Sequence, residues 1–125
     1  MAGDESVRSY QQLQVWQIAM DVAEDVYRAT GGFPKHQQYV LCSQLQRACV
    51  SIPSNIAEGH ARDSTREYLY HVSVALGSTA ELETQLILSG RLGYMSKSKL
   101  DPLMARIDRM GRMAGGLQRA LKAKL

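Results

Sequence analysis

The sequence predicts an all-α protein made of four helices. Apolar residues recur with the 3.6-residue helical period in four segments separated by turn and capping residues. These predicted helices lie at about residues 10–30, 36–58, 64–90 and 98–123. A chain of 125 residues with only three prolines corresponds to one domain with a sizeable core. We therefore expect a single helical domain over residues 10–125, preceded by a flexible polar segment at residues 1–9.

The first predicted helix carries a wide apolar stripe. Leu13, Trp16 and Met20 follow the helical spacing. Val15 and Val22 widen the stripe to about half of the helix circumference. A stripe of this width predicts contact with more than one neighbour.

The second predicted helix contains the motif around which the chain is organised, SIPSNIAEG, which ends at Gly59. Pro53 lacks an N–H and clashes with the carbonyl four residues earlier, so we expect it to kink or divide the helix. Gly59 suits the C′ position because glycine tolerates the left-handed conformation there. Gln44, Ser51 and Asn55 lie close to the apolar face and need hydrogen-bond partners wherever they are buried.

The third predicted helix begins at a capping box, with Ser64 as the N-cap and the Glu67 side chain, three residues later, reaching back to it. On a helical wheel Glu83 falls in the middle of the apolar face, where a carboxylate is costly unless it is paired or protonated. We expect Arg47 to pair with Glu83. Such an arrangement is structural rather than catalytic. The predicted structural polar network consists of Arg47, Asn55, Glu58 and Glu83.

The fourth predicted helix is basic. Ser98 with Asp101 three residues later predicts its N-cap, and Pro102 fits its first turn. Several cationic residues fall on the face away from the core, where they form a candidate nucleic-acid-binding surface. These residues are Lys99, Arg106, Arg109, Arg112, Arg119 and Lys122.

The charge distribution supports this surface without deciding its role. Residues 1–90 hold six Lys/Arg and ten Asp/Glu, a balance of −4, whereas residues 91–125 hold nine Lys/Arg and two Asp, a balance of +7. A basic last quarter favours contact with phosphate or with an acidic partner. A solvated face lying against the acidic face of a neighbour is an equally open interpretation.

Cysteine content and hydropathy predict a cytoplasmic protein. Cys42 and Cys49 lie about 10 Å apart along one helix, which is too far for a disulfide. We expect both to serve as small apolar residues in a reduced protein. No apolar run approaches the roughly 18 residues of a membrane span, and the acidic start does not resemble a signal peptide.

The sequence argues against an enzyme. A di-metal carboxylate bundle uses the Glu-x-x-His motif on two helices, whereas Glu67 and His71 are four residues apart. The other histidines, His36 and His60, lie at the start of the second helix and just after Gly59, so the three are not expected to converge. The chain shows no nucleophile motif and no glycine-rich phosphate loop. We predict no catalytic site, no metal and no cofactor.

Several blocks of the sequence resemble a known family. The blocks are LQVWQIA at 13–19, VY at 26–27, FP at 33–34, QLQRA at 44–48, SIPSNIAEG at 51–59 and GSTAELE at 77–83. They resemble the bacterial four-helix-bundle proteins encoded within intervening sequences of 23S ribosomal RNA genes. The fold of that family is similar to that of the accessory variability protein of diversity-generating retroelements. The resemblance covers about residues 10–95, and the fourth helix matches only in length and basic character.

The resemblance implies an antiparallel up-down four-helix bundle that assembles as a homopentameric ring without enzymatic activity. The retroelement relative binds nucleic acid and a reverse transcriptase, but that role depends on its own genomic setting and is not transferred. Two functions remain open for this chain. One is binding of RNA or DNA through the fourth helix, and the alternative is a protein-interaction scaffold ring that binds no nucleic acid.

Overall fold

Within residues 9–125, which the computed structural model describes, the chain forms four α-helices and no β-strand. The helices are α1 at Gln14–Thr30, α2 at Leu41–Ala61, α3 at Thr65–Arg91 and α4 at Lys97–Ala123. Short 3-10 helices at Tyr10–Gln12 and Lys35–Gln37 precede α1 and α2. The all-α prediction is confirmed. The flexible segment expected at residues 1–9 lies outside the described residues, except for Ser9, whose side chain caps the first short helix.

The second helix differs from its prediction at both ends. Pro34 opens a 3-10 helix, and α2 begins at Leu41 rather than at residue 36. At its other end α2 continues to Ala61, and Gly59 lies inside it as a buried helical residue. The assignment of Gly59 to the C′ position is therefore wrong. Close contact with α3, described below, explains why a glycine is found there.

Pro53 does not divide α2, which is one helix from Leu41 to Ala61. Proline removes the hydrogen bond that its own N–H would donate to the carbonyl of Cys49. Ile52 and Ile56 are both 0% exposed on either side of Pro53. Their burial in the core offsets the lost hydrogen bond and keeps the helix continuous.

The Ser64 N-cap predicted for α3 is confirmed, but the predicted capping box is not completed, because the Glu67 side chain binds Arg62 instead of reaching back to Ser64. The Ser64 hydroxyl accepts a hydrogen bond from the backbone N–H of Glu67 at 3.2 Å. The Glu67 carboxylate accepts a hydrogen bond from Arg62 at 3.1 Å. Glu67 thus contributes its backbone to the cap and its side chain to a contact with the end of α2.

The N-cap predicted for α4 is wrong by two residues. The helix begins at Lys97, with Ser96 at the N-cap position, and Ser98 lies inside the first turn. Lys97 Nζ lies 2.8 Å from the Asp101 carboxylate, and this hydrogen bond raises the pKa of Lys97. Asp101 therefore binds a side chain one turn away instead of completing a cap.

The helices form an antiparallel up-down bundle in which each one packs against two others. α1 and α3 each contact α2 and α4, and the most extensive contact joins α2 to α3. Short connections at residues 31–40, 62–64 and 92–96 make consecutive helices run in opposite directions. In the last connection Gly93 adopts a positive φ of 81°, which glycine accepts without strain.

The wide apolar stripe of α1 is explained by this arrangement. Val15, Val22 and Val26 are buried, because α1 lies against both α2 and α4. Two neighbours within the same chain therefore account for the stripe. At its edges Met20 and Tyr27 remain partly exposed, at 37% and 49%.

One apolar core runs through the bundle. Its largest fully buried side chains include Leu45, Ile52, Ile56, Leu82, Leu86, Ile107 and Met110. Cys42 and Cys49 belong to the same core as free thiols, and burial raises the pKa of Cys49 to about 11. Burial also raises the pKa of Cys42, so both thiols are protonated at neutral pH and act as small apolar groups. Across residues 9–125, no helix combines the length and the apolar character that crossing a bilayer requires.

Candidate nucleic-acid interface

The basic side chains predicted on α4 are all exposed. Buried residues recur along the opposite side of the helix at Leu103, Ile107, Met110, Ala114 and Leu121. This pattern anchors α4 in the bundle and leaves the cationic positions facing solvent. The exposed cationic positions are Lys99, Arg106, Arg109, Arg112, Arg119 and Lys122.

These cations occupy two edges of α4 rather than one uniform face. Arg106 and Arg109 line a polar groove beside α1 together with Asp21. Arg112 and Arg119 line a groove of about 440 Å³ beside α3 together with Glu83. The division follows from helix geometry, because Arg106 and Arg112 are six residues apart and are therefore offset by about 120° around the helix axis.

Small residues of α4 line the groove between α3 and α4. Gly111 and Gly115 line it, and a Cβ on Gly111 would lie 3.8 Å from the Thr79 side chain. The Arg119 guanidinium extends beside the α4 backbone, so that Nη1 would lie 3.6 Å from a Cβ on Gly115. Glycines inside the continuous helix α4 thus lie beside a cationic side chain at the groove.

Two of the predicted cations are neutralised by carboxylates. Arg106 forms an ion pair with Asp25 of α1, and Arg112 pairs with Asp108 at 2.6 Å within α4. No ion pair involving the other four is found within residues 9–125. These four, which we call the unpaired α4 cations, are Lys99, Arg109, Arg119 and Lys122.

The predicted pair between Arg47 and Glu83 does not form. Arg47 is an exposed residue of α2 beside Tyr27 and Val50, and it makes no hydrogen bond or ion pair with the described chain. Glu83 is half-buried on the side of α3 that faces α4. The two side chains point into different grooves. The helical wheel placed Glu83 on the apolar face of α3. It could not show whether Glu83 faces α2 or α4.

The other two members of the predicted network, Asn55 and Glu58, do share a set of contacts. Asn55 Oδ1 lies 3.0 Å from His71 Nδ1, and Glu58 Oε2 lies 3.8 Å from His71 Nε2. Glu58 also accepts a hydrogen bond from Arg62 at 2.7 Å. That hydrogen bond, and then the charge of His71, lower the pKa of the Glu58 carboxyl.

Polar side chains continue along the contact between α2 and α3, which we call the α2–α3 seam. Ser51 and Ser78 hydroxyls lie 2.8 Å apart, and Gln85 Nε2 lies 3.4 Å from Gln44 Oε1. Gln85 is buried, and its Oε1 has no hydrogen-bond partner within the described chain. Together with the pair formed by Asn55, these contacts supply the partners that the polar positions of α2 require.

Sequence reasoning missed the α3 side of this seam. The three α3 residues, His71, Ser78 and Gln85, are spaced seven residues apart, which keeps them on one helix face. This seven-residue spacing is visible in the sequence and could have predicted a polar face on α3. Their antiparallel partners on α2 run in the reverse order.

No group of three or more His, Cys, Asp or Glu side chains in the described chain is arranged to hold a metal ion. His36 lies exposed ahead of α2, whereas His60 stacks edge-on against Tyr68 with ring centroids 5.7 Å apart. His71 lies in the α2–α3 seam. The three histidines therefore lie in separate environments.

Comparison with known proteins places this bundle in a family. The family described as 23S rRNA-intervening sequence protein matches residues 11–116. The chain therefore belongs to the 23S rRNA-intervening sequence proteins. Among curated proteins, no match is found.

The chain is also similar to a solved structure, the crystal structure of a protein with unknown function from the S23 ribosomal protein family of Bacteroides thetaiotaomicron. The TM-score is 0.76 at 19% identity, and the match covers 84% of this chain and 95% of that chain. At this identity the likeness shows a shared fold. Neither comparison indicates a catalytic family.

Proposed function

We propose that the protein is a non-enzymatic, oligomeric helical bundle that binds RNA or DNA through α4. The observation that carries this proposal is the set of unpaired α4 cations, four exposed positive charges without an ion-pair partner within residues 9–125. Phosphate can bind these groups without first displacing a carboxylate. Arg106 and Arg112 exchange Asp25 and Asp108 for phosphate, so they contribute less.

Such binding is directed mainly at the phosphate backbone. Lysine and arginine side chains that contact phosphates position a nucleic acid without reading its sequence. The described residues form a helical bundle, and core residues anchor α4 along its length. We therefore propose weak sequence selectivity and a location in the cytoplasm, where free thiols such as Cys42 and Cys49 persist.

We further propose a homopentameric ring, in line with the resemblance noted in the sequence. A ring repeats the α4 surface and multiplies the number of phosphate contacts, which steepens the salt dependence of binding. Five chains of 13.9 kDa give a particle of about 70 kDa. Light scattering coupled to size exclusion measures this mass directly, and a particle of one or two chains would contradict the ring.

We expect replacement of all four unpaired α4 cations by alanine to abolish most binding to labelled single-stranded RNA or duplex DNA. Wild-type affinity should fall steeply between about 50 and 300 mM salt, since each phosphate contact contributes about 0.7–0.9 to the slope of log K against log salt. The variant should bind more weakly and show a shallower slope. Fluorescence anisotropy across this salt range measures both quantities.

The matched control removes the same number of positive charges from positions outside α4. Lys35, Arg47, Arg66 and Arg91 are exposed and form no ion pair within the described chain. Replacing these four by alanine should leave binding within a factor of about two to three, because only long-range electrostatics changes. Equal losses in the two variants would show that net charge, and not the α4 surface, drives binding.

The alternative function is a protein-interaction scaffold ring without nucleic-acid binding. Large apolar side chains exposed on the bundle favour it, among them Tyr39 at 93%, Tyr70 at 65% and Leu92 at 50% exposure. Failure of the wild type to bind either nucleic acid at the lowest salt would support the scaffold and overturn the α4 proposal.

A further inference from the structure

The groove between α3 and α4, which we call the α3–α4 groove, contains two side chains of opposite charge without an ion-pair partner in residues 9–125. Glu83 of α3 is half-buried and makes no hydrogen bond or ion pair with that part of the chain. Arg119 of α4 is exposed and equally unpaired there. The other two charged residues that line the groove, Asp108 and Arg112, neutralise each other at 2.6 Å. The described chain therefore leaves one carboxylate and one guanidinium of the groove without a partner.

The two unpaired groups lie towards opposite ends of the groove. Its middle is marked by Gly111, where a Cβ would stand 3.8 Å from the Thr79 side chain. Because α3 and α4 are antiparallel, Glu83, one turn beyond Thr79, lies on one side of this point. The Arg119 guanidinium folds back beside Gly115 on the other side. From the helical rise, the Glu83 Cα and this guanidinium are about 12 Å apart along the helices, which explains why they do not pair with each other.

Between its two ends the groove has an apolar floor. Ile107 is 0% exposed, and Leu76 is partly buried against the core. Ala80 and Gly111 line the groove without adding bulk. The volume of about 440 Å³ lies in the range of about 300–1,000 Å³ that is typical of small-molecule sites. A flat ring can therefore lie on the apolar floor while its polar edge faces a charge at one end.

We propose that the α3–α4 groove binds one unpaired guanine of a nucleic-acid strand, with Glu83 accepting hydrogen bonds from the guanine edge and Arg119 binding phosphate of the same strand. This inference rests on the proposed binding of nucleic acid by α4, and it names the kind of strand and the preferred base. Most contacts remain with phosphates, so the preference concerns a single base within an otherwise sequence-tolerant contact.

The choice of guanine follows from the chemistry of a carboxylate. A carboxylate only accepts hydrogen bonds, and its two oxygens match a base edge that carries two neighbouring donors. Guanine presents N1–H beside its N2 amino group. Adenine and cytosine each place an amino group beside a ring-nitrogen acceptor, and uracil places one N–H between two carbonyl oxygens, so Glu83 repels part of each of these edges. Base pairing occupies the same edge in a duplex, so only an unpaired guanine can present it.

The cations at the other end of the groove limit which ligand fits it. Lys122, which is also unpaired in the described chain, lies about one turn beyond Arg119 on α4. These two cations attract the phosphates of a strand and repel a basic peptide, which Glu83 alone would attract. A nucleic-acid strand satisfies both ends, since its phosphates are anionic and its guanine edge donates hydrogen bonds. The groove and these cations therefore suit successive parts of one strand.

Fluorescence anisotropy with short RNA strands tests the base preference in the intact protein. A uridine strand of about ten nucleotides with one central guanine should bind at least about fivefold more tightly than strands with uridine, adenine or cytosine at that position. Pairing the guanine strand with its complement should remove this advantage. Equal affinity for the four strands, with binding still lost on removal of the unpaired α4 cations, would overturn this inference and leave the proposed function intact. Absence of binding to every strand would overturn both.

The variant Glu83→Gln separates recognition of the base from general electrostatics. It removes a negative charge, so affinity for the all-uridine strand should rise, whereas the guanine preference should fall below about twofold. Glu81→Gln is the matched control, because it removes the same charge from an exposed position of α3 outside the groove, and its guanine preference should persist. Ala80→Leu adds bulk to the groove without changing the charge and should also abolish the preference. A preference of wild-type size in Glu83→Gln would contradict the inference.

Discussion

Gly59→Ala is expected to destabilise the bundle, although alanine is the better helix former. The added Cβ would lie 2.8 Å from His71 Cβ, 3.0 Å from Tyr68 Cδ1 and 3.3 Å from the Tyr68 carbonyl oxygen. Relieving these contacts moves α3 away from α2, and these two helices form the most extensive contact in the bundle. Overpacking of this kind costs about 1–3 kcal/mol, partly offset by roughly 1 kcal/mol of helix propensity. Urea unfolding should show a net loss of stability.

Gly77→Ala is the control, and we expect it to change the stability of the bundle in the opposite direction. Gly77 also lies inside a helix, α3, but no atom of a neighbouring element lies within 4 Å of a Cβ built there. Only helix propensity acts at this position, so stability should rise by up to about 1 kcal/mol. If both alanine variants were stabilised, α3 would not approach α2 as closely as the structure shows.

Ile52→Ala should cause the largest loss of stability among the predictions, about 2–5 kcal/mol. Ile52 is 0% exposed and stands beside Pro53, whose missing hydrogen bond leaves α2 dependent on core packing. Truncation removes apolar contacts and leaves a cavity that the neighbouring helices fill only partly. Against a typical total of 5–15 kcal/mol, this loss would consume a large share of the stability. Equilibrium urea unfolding measures it.

Val50→Ala is the control, because it also truncates a β-branched side chain of α2 to alanine but at an exposed position. Val50 is 42% exposed, so little buried area is lost when it is truncated. Alanine is also a better helix former than valine, and we expect a change within about 0.5 kcal/mol. A loss similar to that of Ile52→Ala would mean that this exposed side of α2 is covered by another molecule.

Patterns within single helices could be predicted from the sequence. The four helices follow from apolar periodicity, and the Ser64 cap of α3 follows from local hydrogen-bonding chemistry. Burial of Cys42 and Cys49 follows from their positions on the apolar stripe of α2. Each of these features depends on residues close together in the chain, so no knowledge of the helix partners was required.

Features that depend on two helices were predicted less well. The wheel placed Glu83 on the apolar face of α3, yet this residue turns towards α4 and Arg47 turns outward from α2. The N-cap of α4 is the local exception: the helix starts after Ser96, and Lys97 and Asp101 pair within its first turns. A shift of one residue rotates a side chain by about 100°, enough to change the helix that it faces.

The sequence by itself determined the fold class, the four helices, the composition of the core and the basic character of α4. The tertiary structure decided which polar groups meet: Asn55 and Glu58 with His71, and Ser51 with Ser78. It also decided that Arg106 and Arg112 are neutralised by carboxylates. The physical reason is that helical periodicity is local, whereas hydrogen bonds and ion pairs between helices depend on their relative rotation and axial offset, which the whole core sets together.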